Sequence, residues 1–418
     1  MCVTFSVFSK TSDGMGPAHG YSVRNMEWPV SMRSVVWYVP KGADSPIGRY
    51  QGYKLARWNA KYGYFAISGN PKDKVFNEGM NEGGLSASLL LFSASNAAAR
   101  AWPPPPSKKK IKDEQFLDVA NIIEYLLGGY VLVSCLIKDI NNGVFPFVSI
   151  SHATLKSIRP SLAEEEGEKQ EVRECPLHVC VFDCKGDVAV LEWIEGEMRI
   201  YHGNHKHNDA TGSKRGRIMG RACNVLSNSP SYDWHLENLR WHTWLKMTDD
   251  SYPKSVILAN GYEVTSGARY MGLAGLPADL SSPTRFLRAA ALSALTQRDF
   301  HDDRKFASHE SRISHLFSLA GVLAEPKSYR HDYPKERDGE LANGRTVWTV
   351  VHDHLGSSGS DGKNQKGNRA IYVQSYERKL ILRFRFKEYR KISNAMACCD
   401  IDDKTRWGYW ETVSPSKS

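Results

Sequence analysis

The stretch Ser86-Ala87-Ser88-Leu89-Leu90-Leu91-Phe92 passes from small alternating residues into an unbroken apolar run. A strand with water on one face alternates, so an unbroken run requires a sheet covered on both faces. The Gly-rich segment before it, Gly79-Met80-Asn81-Glu82-Gly83-Gly84-Leu85, reads as a tight turn feeding that strand. Strand patterns crowd the two ends of the chain: Val3 to Phe8, Tyr21 to Asn25, Ser34 to Pro40 and Tyr62 to Ser68 at one, Thr346 to His352, Ala370 to Tyr376 and Leu380 to Phe386 at the other. Pro176 to Asp183, Val188 to Trp193 and Met198 to Tyr201 form an antiparallel meander with turns at Lys185-Gly186 and Glu195-Gly196. Helical spacing falls between the ends: Phe116, Val119, Ile123 and Leu126 up to Gly128-Gly129, a second helix to about Ile140, a start at Tyr232, one helix from Ser281-Ser282-Pro283 to Thr296, and Ile313 to Leu323. Strands at both ends with helices in the middle predict an α+β chain of stacked sheets covered by helices, not a doubly wound parallel sheet.

With 418 residues, 41% hydrophobic and 24% charged, the chain can bury a large core. We read residues 1–418 as one domain with loop insertions near 101–112, 161–174, 203–220 and 356–367. The most apolar stretch, Ile122 to Ile137, is broken by Glu124, Gly128 and Gly129, so no membrane insertion is expected. No basic start with an apolar segment and cleavage site is visible, which predicts a cytoplasmic protein as written, periplasmic or secreted if a longer precursor exists. Eight irregularly spaced cysteines without paired CxxC motifs fit a reducing compartment and no zinc ribbon. The net charge of +9 sits largely in loop-like segments (Lys108 to Lys110 after Pro103 to Pro106; Lys206, Lys214, Arg215, Arg217) with no nucleic-acid motif, so no nucleic-acid partner is expected. His202, His205 and His207 lack a placed carboxylate or thiol partner and read as a hydrated loop; no metal is expected.

Met1 is followed at once by Cys2. Methionine is trimmed before small residues, leaving a free α-amine and a thiol on one residue. An amine with a reference pKa of about 7.7–8.0 can take a proton from a thiol of about 8.5 near neutral pH, so the pair is a self-contained nucleophile and base. The strand that follows puts Cys2 at a strand end. Arg24-Asn25-Met26-Glu27-Trp28 adds a cation and a carboxylate three residues apart, beside an aromatic.

Taken in order, Met1-Cys2, Arg24 to Trp28, Lys61-Tyr62-Gly63, Gly79 to Leu85 with its strand, Pro176-Leu177-His178, Ser227-Asn228-Ser229-Pro230 and Ser281 to Arg288 resemble the choloylglycine hydrolase family. That family holds bile salt hydrolases, penicillin V acylases and related linear-amide hydrolases with an N-terminal nucleophile. The resemblance runs to about residue 290 and more weakly through the C-terminal strands; Trp28 and Ala87 to Leu90 look like the branch typical of Gram-negative bacteria. It implies a four-layer αββα N-terminal-nucleophile sandwich of two mainly antiparallel sheets, and hydrolysis of an amide in an N-acylated small molecule. It makes Cys2 the nucleophile and base, Arg24 the cation favouring thiolate, Glu27 the acceptor orienting the amine, and Arg285 the completion of the polar network. Asn228 and the backbone N–H of Leu91 would hold the oxyanion, with Asn81 and Trp28 on the substrate side. It implies no cofactor, and a tetramer by likeness to relatives. Two departures stand out: Glu27 replaces the family's Asp, and the gap from Cys2 to Arg24 is longer, with the excess placed in Ser9 to Gly20. Other readings are an acylase for N-acyl homoserine lactones or fatty-acid amides, and an inactive ligand-binding or assembly relative.

Overall fold

The computed structural model describes residues 2–10, 17–28, 32–45, 49–50, 53–70, 73–92, 116–149, 177–194, 197–204, 211–242, 255–257, 263–265, 276–300, 306, 308–326, 345–356, 368–376, 380–401 and 410–415. Two large sheets dominate. Their strands, in chain order, are β1 (Val3–Lys10), β2 (Pro17–Trp28), β3 (Val35–Val39), β4 (Tyr64–Asn70), β5 (Asp73–Asn81), β6 (Ser86–Leu91), β7 (Leu177–Phe182), β8 (Val188–Ile194) and β9 (Glu197–His202). There follow β10 (Thr211–Gly212), β11 (Arg217–Gly220), β12 (Val225–Leu226), β13 (Arg345–Asp353), β14 (Ala370–Ser375), β15 (Ile381–Arg385), β16 (Met396–Asp400) and β17 (Trp410–Thr412). One sheet runs β12-β1-β2-β13-β14-β15-β17, the other β10-β11-β9-β8-β7-β6-β5-β4-β3-β16. Each is antiparallel except for one pair, β15 with β17 and β9 with β11.

The period of two sorts the core into layers. In β7, Val179 and Val181 pack under the helices α1 (Ile122–Gly129) and α2 (Val133–Asn142), whereas Cys180 and Phe182 turn to the space between the sheets. Ala189 and Leu191 against Val190 divide β8 in the same way, and Leu89 against Leu90 divides β6. Both faces of this sheet are therefore dry, which is why the run at Leu89 to Phe92 does not alternate. On the far side, α4 (Ser282–Asp299) and α5 (His309–Leu323) cover the first sheet, with Phe286, Ala289, Ile313 and Leu316 against Val3, Phe5 and Val23. A shorter helix, α3 (Tyr232–Trp241), follows β12. The layer order is helix, sheet, sheet, helix, and the sandwich is the αββα type.

Several local expectations shift. The β1–β2 hairpin carries its pairing out to Lys10 and Pro17, beyond a bulge at Ser9, so much of the expected Ser9 to Gly20 loop is sheet. The expected turn at Gly79 is strand: β5 runs through it to Asn81 and the turn begins at Glu82. Glycine is required there because a Cβ would strike the Phe65 carbonyl oxygen in β4 and the Leu127 side chain in α1. Phe116–Asp118 is a short strand paired in parallel with Phe147–Ser149, and helix begins only after a turn capped by Asp118. The 203–220 insertion contributes two strands, β11 beside β9 and β10 at the sheet edge. Residues 101–112, 161–174 and 357–367, with His205 and His207, lie outside the described residues. Among the described residues no single helix is long and apolar enough to cross a membrane.

Candidate active site

Register explains how Cys2 and Arg24 meet. Thr4 faces Arg24 and Val3 faces Asn25 across β1 and β2, so one further step brings Cys2 level with Met26. Cys2 Sγ lies 3.6 Å from Met26 Sδ and 3.6 Å from Arg24 Nη2. Arg24, Met26 and Trp28 share the face between the sheets, with Trp28 half-buried at its margin. Asn25 and Glu27 point the other way, towards α4 and α5; Asn25 Nδ2 donates to the Ala320 carbonyl at 2.8 Å. Arg24 and Glu27, three residues apart on a strand, are thus not a pair.

Arg24 is fully buried, and its Nη2 also donates to the Leu89 carbonyl at 2.8 Å. Its Nη1 donates to Glu78 Oε2 at 2.8 Å and to the Asn77 carbonyl. Burial works against the guanidinium charge, but the neighbouring Cys2 sulfur and Glu78 outweigh it and raise Arg24 above its ordinary range.

The nitrogen of Cys2 meets a second group. β12 lies beside β1, pairing Leu226 with Thr4, and carries the chain directly into Ser227 and Asn228. Cys2 N donates to Asn228 Oδ1, Ser227 Oγ donates to the Cys2 carbonyl at 3.2 Å, and Ser282 Oγ ties Ser227 to the head of α4 at 3.0 Å. His235 Nε2, on α3, meets the Asn228 carbonyl at 2.8 Å; burial lowers the His235 pKa to about 4, so the ring is neutral and donates there. Asn228 Nδ2 uses one proton on the Leu91 carbonyl at 2.5 Å, which leaves its second for a ligand.

Behind Asn228 stands a buried carboxylate and guanidinium cluster. Arg285 Nη2 is 3.4 Å from Asn228 Oδ1, and Arg285 Nη1 is 3.1 Å from Glu27 Oε2 and 3.4 Å from Glu325 Oε1, all three charged side chains being inaccessible. Thr346 Oγ1 donates to Glu27 Oε1 at 3.1 Å and accepts the Glu325 N–H at 2.8 Å. Burial pushes Glu27 up to about 7, partly opposed by Arg285 and reinforced by Glu325.

Cys2, Arg24, Asn228, Arg285 and Glu27 therefore converge. The acceptor facing Cys2 N is Asn228, and Arg285 joins Asn228 to Glu27 on the opposite face of β2. Leu91 meets Asn228 through its carbonyl. Asn81 is not brought to the thiol. Its Nδ2 donates to the Leu127 and Tyr130 carbonyls at 2.8 and 2.6 Å and its Oδ1 accepts the Leu85 N–H at 3.0 Å, so it fastens α1 to the turn on the helix-facing side. Asn81→Ala should cost about 1–3 kcal/mol by orphaning two buried carbonyls, seen in denaturant melts, with kcat close to wild type. Glu78, Glu325, Thr346 and His235 escaped sequence reasoning. Only Glu78 carried a signal, a carboxylate set within a strand between Phe76 and Met80.

A helix–sheet–sheet–helix sandwich with residue 2 at a strand end, facing the layer between the sheets, is the architecture of the N-terminal-nucleophile hydrolases. Within that class, residues 16–211 and 214–314 match the family of linear amide C–N hydrolases, choloylglycine hydrolase family, and the chain belongs to that family. It is similar to a penicillin V acylase of Pectobacterium atrosepticum, 25% identical over 55% of this chain and 50% of that one. It is also similar to a bile salt hydrolase/transferase of Clostridium perfringens, 22% identical over 70% of this chain and 71% of that one. The matched region thus spans only half the length of the Pectobacterium relative. Among solved structures, a C2A mutant of conjugated bile acid hydrolase from Clostridium perfringens covers all of both chains at a TM-score of 0.65 and 17% identity. Penicillin V acylase from Agrobacterium tumefaciens gives 0.61 and 17%, over 99% of this chain and 95% of that one.

Proposed function

We propose that the protein hydrolyses the linear amide C–N bond of an N-acylated small molecule, of the conjugated bile salt or penicillin V type, through a thioester on Cys2. The observation that carries this reading is that both ends of one residue are held: Sγ by Arg24 Nη2 at 3.6 Å and N by Asn228 Oδ1. Once Met1 is removed, that nitrogen is the α-amine and takes the thiol proton. The thiolate forms a C–S bond at the substrate carbonyl, and the remaining Nδ2 proton of Asn228 stabilises the oxyanion. Collapse breaks the C–N bond, and the amine leaves with the proton held by the Cys2 nitrogen. Water then adds to the thioester, the acid departs and the thiol is restored. Trp28, half-buried on the face of Arg24 and Met26, offers an apolar edge to an acyl group.

Amine release from glycine- and taurine-conjugated bile salts, penicillin V and acyl homoserine lactones tests the reading. Turnover of the first two classes is expected, and no release from any of them overturns it. Asn228→Ala should lower kcat by a factor of about 10²–10³ on whichever substrate is cleaved.

A further inference from the structure

We propose that Glu78 is a positioning residue of this site: it is the counter-charge that takes one edge of the Arg24 guanidinium, presents the other edge to the Cys2 sulfur, and limits the positive field felt there. The inference rests on the reading of Cys2 as nucleophile, and its test below does not use amide turnover.

The two edges of Arg24 are divided cleanly. Nη1 belongs to Glu78 Oε2 at 2.8 Å and the Asn77 carbonyl, both on β5; Nη2 belongs to Cys2 Sγ, Met26 Sδ at 3.3 Å and the Leu89 carbonyl. The Trp348 ring, on β13, lies 5.5 Å from the guanidinium carbon. Arg24 is 1% exposed and Glu78 0%; burial raises the Glu78 carboxyl above its ordinary range and Arg24 is the chief influence opposing this, so charge on the two interacts with little screening by water. Glu78 is fastened in turn by the Gly79 N–H on Oε1 at 3.3 Å.

Among the described residues, Glu192 on β8 also faces this layer, but its carboxylate is held by His178 Nδ1 at 3.1 Å and the Tyr232 N–H at 3.0 Å. His352, on β13, has Nε2 at 3.6 Å from Glu78 Oε1 and Nδ1 at 3.0 Å from Ser22 Oγ, but burial holds it well below its usual range and therefore neutral. His354 is likewise lowered to about 4 by burial, and burial raises the Cys180 thiol on β7 well above its range. On the nitrogen side of Cys2 stand Asn228 and, behind it, Arg285 with Glu27 and Glu325. Arg24 thus meets two groups able to be its anion, the Glu78 carboxylate and the Cys2 thiolate. They compete for it: with the carboxylate ionised, the guanidinium is already neutralised on one side and favours thiolate less.

Glu78→Gln keeps the shape and removes that charge. The experiment is the rate of alkylation of Cys2 by iodoacetamide against pH, read on the N-terminal peptide by mass spectrometry, in protein whose N-terminus has been established by intact mass. The pH of half-maximal rate should fall by about one unit in Glu78→Gln, a tenfold change in the thiolate-to-thiol ratio. In Glu78→Asp, where the carboxylate remains but is one methylene shorter and so farther from the guanidinium, it should fall by a smaller but measurable amount, less than half as much. If the Gln variant does not fold, the Asp variant alone decides. A midpoint at or above that of wild type, in whichever folded variant is measured, overturns the proposal. Absence of amide turnover in the wild type, together with the expected alkylation shifts, would instead count against the hydrolase reading.

Discussion

Cys2→Ala is expected to abolish amide hydrolysis, lowering kcat by a factor of at least about 10⁴, while leaving a folded protein. Alanine is small enough to permit removal of Met1, so the variant keeps the α-amine, Asn228 and Arg285 and loses only the sulfur. What remains is a site that can bind and polarise an amide but has no atom to bond to its carbonyl carbon. The structural cost is small, since among the described residues the thiol lies within hydrogen-bond range only of Met26 Sδ and Arg24 Nη2. Loss of one buried sulfur should cost on the order of 1 kcal/mol, a shift of a few degrees in Tm. Amine release and thermal melts on the same preparation check both halves. Undiminished turnover in a Cys2→Ala preparation whose substitution is verified by intact mass would exclude Cys2 as nucleophile.

The layered fold was legible because period and composition act locally. Val179 and Val181 against Cys180 and Phe182 is a division that a period of two imposes before any contact is known. Partners distant in sequence were not legible. Glu325 N–H meets Thr346 Oγ1, and that hydroxyl meets Glu27, more than three hundred residues away; no spacing rule encodes such a meeting. The strands β16 and β17 were missed for a related reason: Met396–Asp400 and Trp410–Thr412 are short edge strands whose identity comes from the neighbour they join.

Arg24 and Glu27 show what motif resemblance conveys and what it leaves open. Their proximity in sequence suggests partnership, yet alternation along β2 sends one to the thiol and the other to α4. Glu27 is therefore joined to Asn228 by way of Arg285. The extra methylene relative to Asp is accommodated on the helix-facing side, where Thr346 and Arg285 hold both carboxylate oxygens.

Arg285→Met should be the most destabilising of these changes, and its cost should depend on pH. The guanidinium lies within ion-pair distance of two inaccessible carboxylates, Glu27 and Glu325. A methionine of similar length fills the space but leaves them without that cation, which for a broken buried ion pair costs about 3–5 kcal/mol. Glu27 is already raised from 4.5 to about 7 in the native state by burial, and Arg285 is the largest influence lowering it. Removing Arg285 therefore raises it further. A carboxyl whose folded pKa exceeds its unfolded one binds more protons when folded, so its contribution to stability is full below about 4.5 and is lost as pH rises through 7 and beyond. Wild type should accordingly lose stability from this group between pH 4.5 and 7. In the variant the loss extends to higher pH, and near pH 5, where Glu27 is protonated when folded, the penalty of the substitution should shrink to less than half its value at pH 8. Urea midpoints of both proteins at the two pH values measure this directly. An equal penalty at both would mean that Arg285 stabilises the fold by packing, with no charge on Glu27 to compensate.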